Sequence, residues 1–420
     1  MDKLAITPES PLSTLPKAAP QRIALHVSRD GERALRSGHP WLFDNSIERQ
    51  SHAGKPGDLA VAFDQKRRFL AIGLYDPTSP LRMRVLQHGT PATIDQVWFL
   101  AQLQTAAQRR APLLGDNRTT GYRLVHGEND GLPGLVVDRY AETLVIKLYS
   151  AAWIPHLADL LAALATVQPA QRWVLRLSRT LQKAPEHLYG LTDGLLLMGL
   201  ALTGPVRFLE NGLCFEADPI RGQKTGFFLD QRENRARVEA LAAGQRVLNV
   251  FAYNGGFSLY AARGGARQVA SLDSSRPALA AAERNFALNQ HLPSVAATEH
   301  QLLAGDAFQL LAHLQTAGER YDLVIIDPPA FAKQQTEVER ALSAYAQLTR
   351  LGLGVLASGG TLVLASCSSR VSSDAFFATV TQAAAQAGRP LHPFAQTAHA
   401  LDHPIGFAEG AYLKCLYARA

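Results

Sequence analysis

From about residue 210 onward, short apolar runs recur along the chain, each followed by a stretch of helical spacing. The runs are 246–250, 268–272, 323–326 and 361–365; the helical stretches fall near 257–263, 277–289, 307–316, 335–357 and 373–387. A further strand is expected just before Gly305. Strands alternating with helices of this length imply a parallel, doubly wound sheet covered on both faces. The fold class over residues 210–420 is therefore α/β and Rossmann-like, and ligands of such sheets bind beyond the carboxyl ends of the strands.

The upstream half has a different rhythm. Residues 1–21, rich in Pro, Ser and Ala, read as a disordered leader. Residues 22–90 carry short alternating stretches separated by Gly/Pro turn clusters, the pattern of a small β-rich domain interrupted by one helical patch at 31–37. Residues 91–209 begin with a linker helix over 93–113 and continue as a small α+β domain: a hairpin within 122–140, a strand at 143–149 and a helix at 154–165. Charge separates the halves further. Residues 22–90 hold eleven Lys and Arg against seven Asp and Glu, and residues 91–209 hold eleven against nine; residues 210–420 hold eighteen of each. A basic excess upstream of a neutral half suits a polyanion-binding part joined to a catalytic one, although a solvated basic surface fits the charge alone equally well. Three scattered cysteines form no disulfide framework or metal-ligand spacing, so no metal is expected. No signal peptide and no apolar run of membrane-spanning length is seen, and the expected location is cytoplasmic.

The chemistry is expected at the strand ends. After the first strand comes Phe251-Ala252-Tyr253-Asn254-Gly255-Gly256, where the glycine pair permits a tight turn and close backbone approach to a ligand. Alone, it reads as well as a plain strand-to-helix turn. The second strand ends at Asp273, which can accept two ribose hydroxyls or cap the next helix. Asp306 follows the third strand and can receive an adenine amino group; Asp327-Pro328-Pro329 follows the fourth. Acidic or glycine positions on four successive strand ends make up the pattern of class I S-adenosylmethionine (SAM) methyltransferases, which the chain resembles over 210–420. Without a third glycine the turn is not that of a dinucleotide-binding dehydrogenase. In the methyltransferases, an Asp-Pro-Pro loop generally faces a nucleobase.

The fifth strand runs into Ser366-Cys367-Ser368. Carbon 5 of a pyrimidine needs a nucleophile on carbon 6 before it can take a methyl group, and a thiolate can supply one. Cys367 beside Asp327 fits that task; in isolation it reads as a small buried hydrophobe, as do Cys214 and Cys415. Upstream, the loop 222–232 could place Phe227 or Phe228 on the cofactor and Lys224 or Arg232 on a carboxylate or phosphate, or it could serve only to dock domains.

From residue 22 to the C-terminus the chain resembles the bacterial ribosomal large-subunit cytosine-5 methyltransferases of the RlmI type. His39-Pro40-Trp41-Leu42-Phe43, residues 127–140, 223–232, 247–258 and 327–331, Ser366-Cys367-Ser368 and Asp402-His403-Pro404 carry the likeness. The resemblance implies a PUA domain over 22–90, SAM as cofactor, and a cytosine of 23S ribosomal RNA, or of a large-subunit assembly intermediate, as target. A homodimer is compatible with it. By motif position, Cys367 is the implied nucleophile and Asp327 the acid on the base. The implied cofactor contacts are Phe251, Tyr253, Gly255, Gly256, Asp273 and Ser274, then Asp306, Ala307 and Asp327, with Phe228 and Asp230 from the upstream loop. The implied substrate contacts are Lys224, Arg232, Pro328, Pro329 and Phe331. The chain departs from the family at Asn254, where Thr is usual, and at Ser369, where Gly is usual. Three other readings stay open: an exocyclic-amine methyltransferase needing no cysteine, a non-catalytic RNA-binding assembly factor, and a small-molecule methyltransferase.

Overall fold

The structure is a computed structural model that describes residue 12 and residues 14–420; residues 1–11 and 13 of the expected leader lie outside the described residues. The chain divides into two compact units. The first runs to Asn211 and takes in two later segments, Ala217–Phe227 and Asp402–Phe407; the second holds Gly212–Glu216, Phe228–Leu401 and Ala408–Ala420. Within the stretch 210–420, residues 210–211, 217–227 and 402–407 cluster with the first unit.

In the first unit, strands β1 (Ile23–Val27), β2 (Trp41–Phe43), β3 (Ile47–Gln50), β4 (Leu59–Phe63), β5 (Phe69–Tyr75) and β6 (Leu81–His88) form a sheet of order β2-β6-β5-β4-β1-β3. Alternating burial in β1 sends Ile23, Leu25 and Val27 into a small core with Leu35 of α1 (Arg29–Arg36). Ser28 caps α1 by accepting the Gly31 N–H. Helix α2 (Gln96–Arg110), capped by Asp95, leads to a second sheet. Its strands are β7 (Gly121–His126), β8 (Leu135–Tyr140), β9 (Thr143–Leu148), β10 (Arg172–Leu177) and β11 (Leu195–Met198), in order β11-β10-β9-β8-β7. Parallel β9 and β10 are bridged by α3 (Leu157–Val167), which starts later than expected because Pro155 holds the preceding turn in a 3-10 conformation. Strand β12 (Val206–Glu210) closes the segment.

One apolar cluster joins Val61, Ile72 and Leu74 of the first sheet to Phe99 and Leu103 of α2 and to Ile146 and Trp153. The first sheet thus keeps a small core of its own on one side of the expected boundary near residue 90 and contributes Val61, Ile72 and Leu74 to the cluster beyond it. Leu12 is buried in the same cluster, Leu15 packs on it, and the Ala19 N–H donates to Asp58 Oδ1 at 2.9 Å. Charged groups are buried here in closed sets. The wholly buried Arg110 guanidinium donates to both Asp130 oxygens at 2.6 and 2.8 Å, and to the Asp402 carbonyl at 2.8 Å. Asp402 Oδ2 accepts the Arg123 N–H at 2.8 Å while Oδ1 lies 2.9 Å from His403 Nδ1. The Asp402-His403-Pro404 motif therefore fastens a late segment into this unit.

The second unit begins with most of β13 (Leu213–Ala217) and continues through α4 (Arg232–Glu239). Then β14 (Arg246–Val250), α5 (Gly256–Arg263), β15 (Gln268–Asp273), α6 (Arg276–Leu288), α7 (Pro293–Ala297), β16 (Glu299–Ala304), α8 (Ala307–Thr316), β17 (Tyr321–Ile326), α9 (Val338–Val355) and β18 (Leu356–Ser366) alternate. Helix α10 (Ser373–Gln386) and strands β19 (His392–Thr397) and β20 (Lys414–Arg419) complete it. The sheet order is β16-β15-β14-β17-β18-β20-β19; β20, antiparallel to both its neighbours, is the one strand of this sheet that runs against the other six. The expected α/β class and doubly wound sheet are present. Strand order reverses between β14 and β17, so the loops leaving these neighbours diverge and open a crevice at their carboxyl ends. Among the described residues no helix is long and apolar enough to cross a membrane.

Polar side chains inside this sheet form a chain from Asn249 Nδ2 to Ser258 Oγ (2.9 Å), Ser271 Oγ (2.7 Å) and His300 Nε2 (2.9 Å). The His300 ring stacks on Phe286 at 3.6 Å, and burial pushes its pKa down to about 4.

Two predictions follow from these buried groups. Asp130→Ala leaves Arg110 buried without its counter-charge and is expected to cost about 3–5 kcal/mol, read as a lowered denaturation midpoint. His300 is held neutral in the fold, so the unfolded chain binds its proton more readily. Its contribution is complete above about pH 6.5 and is lost as pH falls toward 4. His300→Gln should flatten the stability profile over that window.

Candidate active site

Because β14 to β18 are parallel, their carboxyl ends share one edge of the sheet. Reading across it, β16 delivers Asp306, β15 Asp273, β14 the loop Phe251–Gly255, β17 Asp327 and β18 Cys367. Antiparallel β20 begins at this edge, where Lys414 pairs in register with Ser366.

The half formed by β16, β15 and β14 is shaped as a cradle. Phe251 and Tyr253 have positive φ (61° and 50°), and Gly255 sits at φ 77° as the residue before α5. A Cβ on Gly255 would lie 2.8 Å from the Ala282 Cβ, so the turn demands glycine for both conformation and space. Asp273 Oδ2 accepts the Tyr253 N–H and Oδ1 the Ser275 N–H, both at 2.8 Å. These bonds fix the carboxylate while each oxygen keeps a lone pair for a further donor. Ser274 beside it is exposed. Asp306 caps α8 through the Gln309 N–H at 3.1 Å, with Ala307 buried as the first residue of that helix. Phe228 packs edge-on against Tyr253 at 5.0 Å, and its carbonyl is held by Arg235 at 2.9 Å.

The half formed by β17, β18 and β20 is tied tightly. The Asp327 N–H donates to the Val250 carbonyl at 3.3 Å, prolonging the β17–β14 pairing. Ser368 Oγ accepts the Phe331 N–H at 3.1 Å, and the Tyr345 hydroxyl lies 2.8 Å from Ser366 Oγ and 3.1 Å from Ser368 Oγ. The Asp327–Phe331 loop and the Ser-Cys-Ser loop are thereby locked together, with Cys367 Sγ 3.7 Å from the Pro328 carbonyl oxygen. Pro328 is buried, Pro329 exposed, and Phe331 half-buried against Tyr345 at 5.2 Å. The wholly buried Cys415 thiol is pushed up to about 12 by desolvation, and Cys214 is held by its backbone against the Asn289 amide. Cys367 is partly exposed just past the end of β18.

Several expected residues stand elsewhere. Phe227 is core in the first unit, 5.0 Å from Phe208. Lys224 also belongs to the first unit, where its carbonyl accepts Lys147 Nζ at 3.0 Å and the neighbouring Thr225 hydroxyl bonds Asp138. Arg232 is 1% exposed and paired with Glu233 at 3.3 Å. Asp230 is buried, with Oδ2 accepting the Tyr412 hydroxyl at 2.7 Å. The sequence reading missed Tyr345 and Lys414. A lysine inside the apolar run Leu413–Tyr417 was the available signal.

Residues 122–406 match the family model of an S-adenosylmethionine-dependent methyltransferase, and residues 25–88 match that of a PUA-like domain. The chain is 50% identical over 406 residues to a ribosomal RNA large subunit methyltransferase of Deinococcus radiodurans, covering 96% of this chain and 98% of that one. It is 36% identical over 400 residues to the ribosomal RNA large subunit methyltransferase I of Aeromonas salmonicida, covering 95% and 99%. The chain belongs to the ribosomal RNA large subunit methyltransferase family. A solved methyltransferase complexed with SAH shares the fold at a TM-score of 0.81 and 22% identity, over 94% of this chain and all of that one.

The cofactor of this methyltransferase family member is SAM. The left-handed glycine turn before α5 and the fixed Asp273 carboxylate suit such a ligand. Gly255→Ala is expected to weaken SAH binding at least tenfold, ~1.4 kcal/mol, by isothermal calorimetry.

Proposed function

We propose that this methyltransferase forms 5-methylcytosine in 23S ribosomal RNA, free or within a large-subunit assembly intermediate, through a covalent bond between Cys367 and the base. The observation that carries the reading is the locked pair of loops that sets Asp327 and Cys367 on neighbouring parallel strand ends. The Cys367 thiolate adds to carbon 6, and the electron pair of the 5,6 double bond shifts to carbon 5. Asp327, entering as the carboxylic acid, donates its proton to N3, which cytosine carries unprotonated, and so neutralises the charge that develops in the ring; it takes the proton back when the adduct breaks down. SAM supplies the methyl group that carbon 5 accepts. Loss of the carbon 5 proton to a base then lets the sulfur–carbon 6 bond break and frees the thiolate.

Support for RNA as the acceptor comes from the PUA-like match, the basic excess of residues 22–209 and the printed names of the relatives. Exocyclic-amine transfer would leave the partly exposed thiol beside the Asp-Pro-Pro loop without a task.

Mass spectrometry of 23S ribosomal RNA from cells with and without the protein should show one 5-methylcytosine depending on it. RNA carrying 5-fluorocytosine at that position should trap a covalent complex, because fluorine cannot leave as a proton does. Cys367→Ala should abolish trapping and slow methyl transfer at least a thousandfold, ~4 kcal/mol. Retained transfer by that variant would remove the covalent reading and favour amine methylation.

A further inference from the structure

Lys414 lies one strand over from Cys367 and is 2% exposed. Its Nζ donates to three backbone carbonyls, those of Ser368 (2.6 Å), Val371 (2.5 Å) and Tyr412 (3.2 Å). Ser368 and Val371 bracket the turn that follows Cys367, so the ammonium clamps the loop bearing the thiol. All its acceptors are neutral; among the described residues no carboxylate lies within ion-pair distance of it. A buried cation solvated only by carbonyls keeps its full charge and is strongly felt by an anion nearby.

We propose that Lys414 is a positioning residue that holds Cys367 as a thiolate, by a fixed positive charge and by clamping the 368–371 turn. The inference deepens the nucleophile reading above and rests on it. The Cys367 proton passes to solvent while Lys414 keeps all three of its own, acting as an electrostatic partner and not as a base. Burial lowers the Lys414 pKa to about 8 and a charge on Cys367 raises it, so the two groups sense each other. Below about pH 8 the ammonium is present and favours the thiolate; above it the support is lost.

Other ionisable groups at this corner are Asp327 beyond β17, Tyr345 of α9, Cys415 and Tyr417 of β20, and Arg237 of α4. Tyr412 is engaged with Asp230, and His399 accepts the Leu413 N–H. Asp327 and Arg237 oppose one another in sign, and burial raises the pKa of Tyr345, Cys415 and Tyr417. Arg370 lies in the 368–371 turn itself and is exposed to solvent, whereas Lys414, on β20, is the buried cation bonded to that turn.

The test is the pH dependence of Cys367 alkylation by iodoacetamide, followed by mass spectrometry of its peptide in the full chain. Wild-type protein should react with a midpoint below the ordinary thiol value of about 8.5. Lys414→Met and Lys414→Gln should move the midpoint up by about one unit, a roughly tenfold slower reaction at pH 7, whereas Lys414→Arg should keep it low. A purely structural role would change the plateau rate and leave the midpoint in place. SAH binding reports folding; the Gln variant, which keeps donors for the carbonyls, decides if the Met variant fails to fold. An ordinary midpoint in wild-type protein, or unmoved midpoints in the neutral variants, overturns the proposal. Trapping on 5-fluorocytosine RNA reports separately on the nucleophile: shifted alkylation without trapping would sink that reading alone, and trapping with unmoved midpoints would sink only the role of Lys414.

Discussion

Parallel strand pairing governs the arrangement of the second unit. Each of β14 to β18 must return through a helix on one face of the sheet, so every functional loop emerges from the same edge. Neighbouring strands lie roughly 4.8 Å apart, which spaces the residues they deliver at nearly fixed intervals. The reversal between β14 and β17 then divides the edge. Strands β16, β15 and β14 present Asp306, Asp273 and the glycine turn, while β17, β18 and β20 present Asp327, Cys367 and Lys414. The glycine turn with its carboxylates and the Asp327–Cys367 pair are thus adjacent by topology, before any side chain adjusts.

Desolvation sets the second condition. A buried ion costs several kcal/mol unless its neighbours replace water, and the two units meet that cost in different ways. In the first unit Arg110 and Arg123 are closed by carboxylates, Asp130 and Asp138. Such pairs are electrically quiet and suit a scaffold. In the second unit Lys414 is surrounded by carbonyls, whose dipoles satisfy its protons without cancelling its charge. The charge stays available to a neighbouring anion, which a closed ion pair would not allow.

The difference also explains what could be read from sequence. Strands buried on both faces, such as Tyr321–Ile326, announce themselves as apolar runs, and the carboxylates ending them were identified at the correct positions. Edge strand β19 has little apolar pattern and contains Pro393 at a register shift, so no period marks it. Strands β10, β11 and β12 were also missed. Residues recruited from a distance were equally silent. Thr225 is held by Asp138, eighty-seven positions earlier, which accepts its hydroxyl, and Asp402 is captured by Arg123. Phe227 and Phe228 are adjacent in sequence yet belong to different units. The charge division suggested a detachable basic module, but Ile72 and Leu74 share a core with Phe99 and Trp153. Truncation at residue 90 would expose that core, so it cannot isolate RNA binding from stability.

Cys415 provides the internal control for reactivity at this edge. It pairs with Ala365, one register step from the Lys414–Ser366 pair, and the pleat turns its side chain to the opposite face from Lys414. The sulfur is wholly buried and its pKa is pushed up to about 12, leaving essentially no thiolate at neutral pH. Cys367 stands just past the end of β18, partly exposed, on a turn fixed from one side by Ser368 and Tyr345 and from the other by Lys414. Two thiols a single strand apart thus have different surroundings, one wholly buried and one partly exposed. Ser369 in place of the family's usual glycine leaves this arrangement intact, because the bonds that hold the turn run through Ser366, Ser368 and the Val371 carbonyl rather than through residue 369.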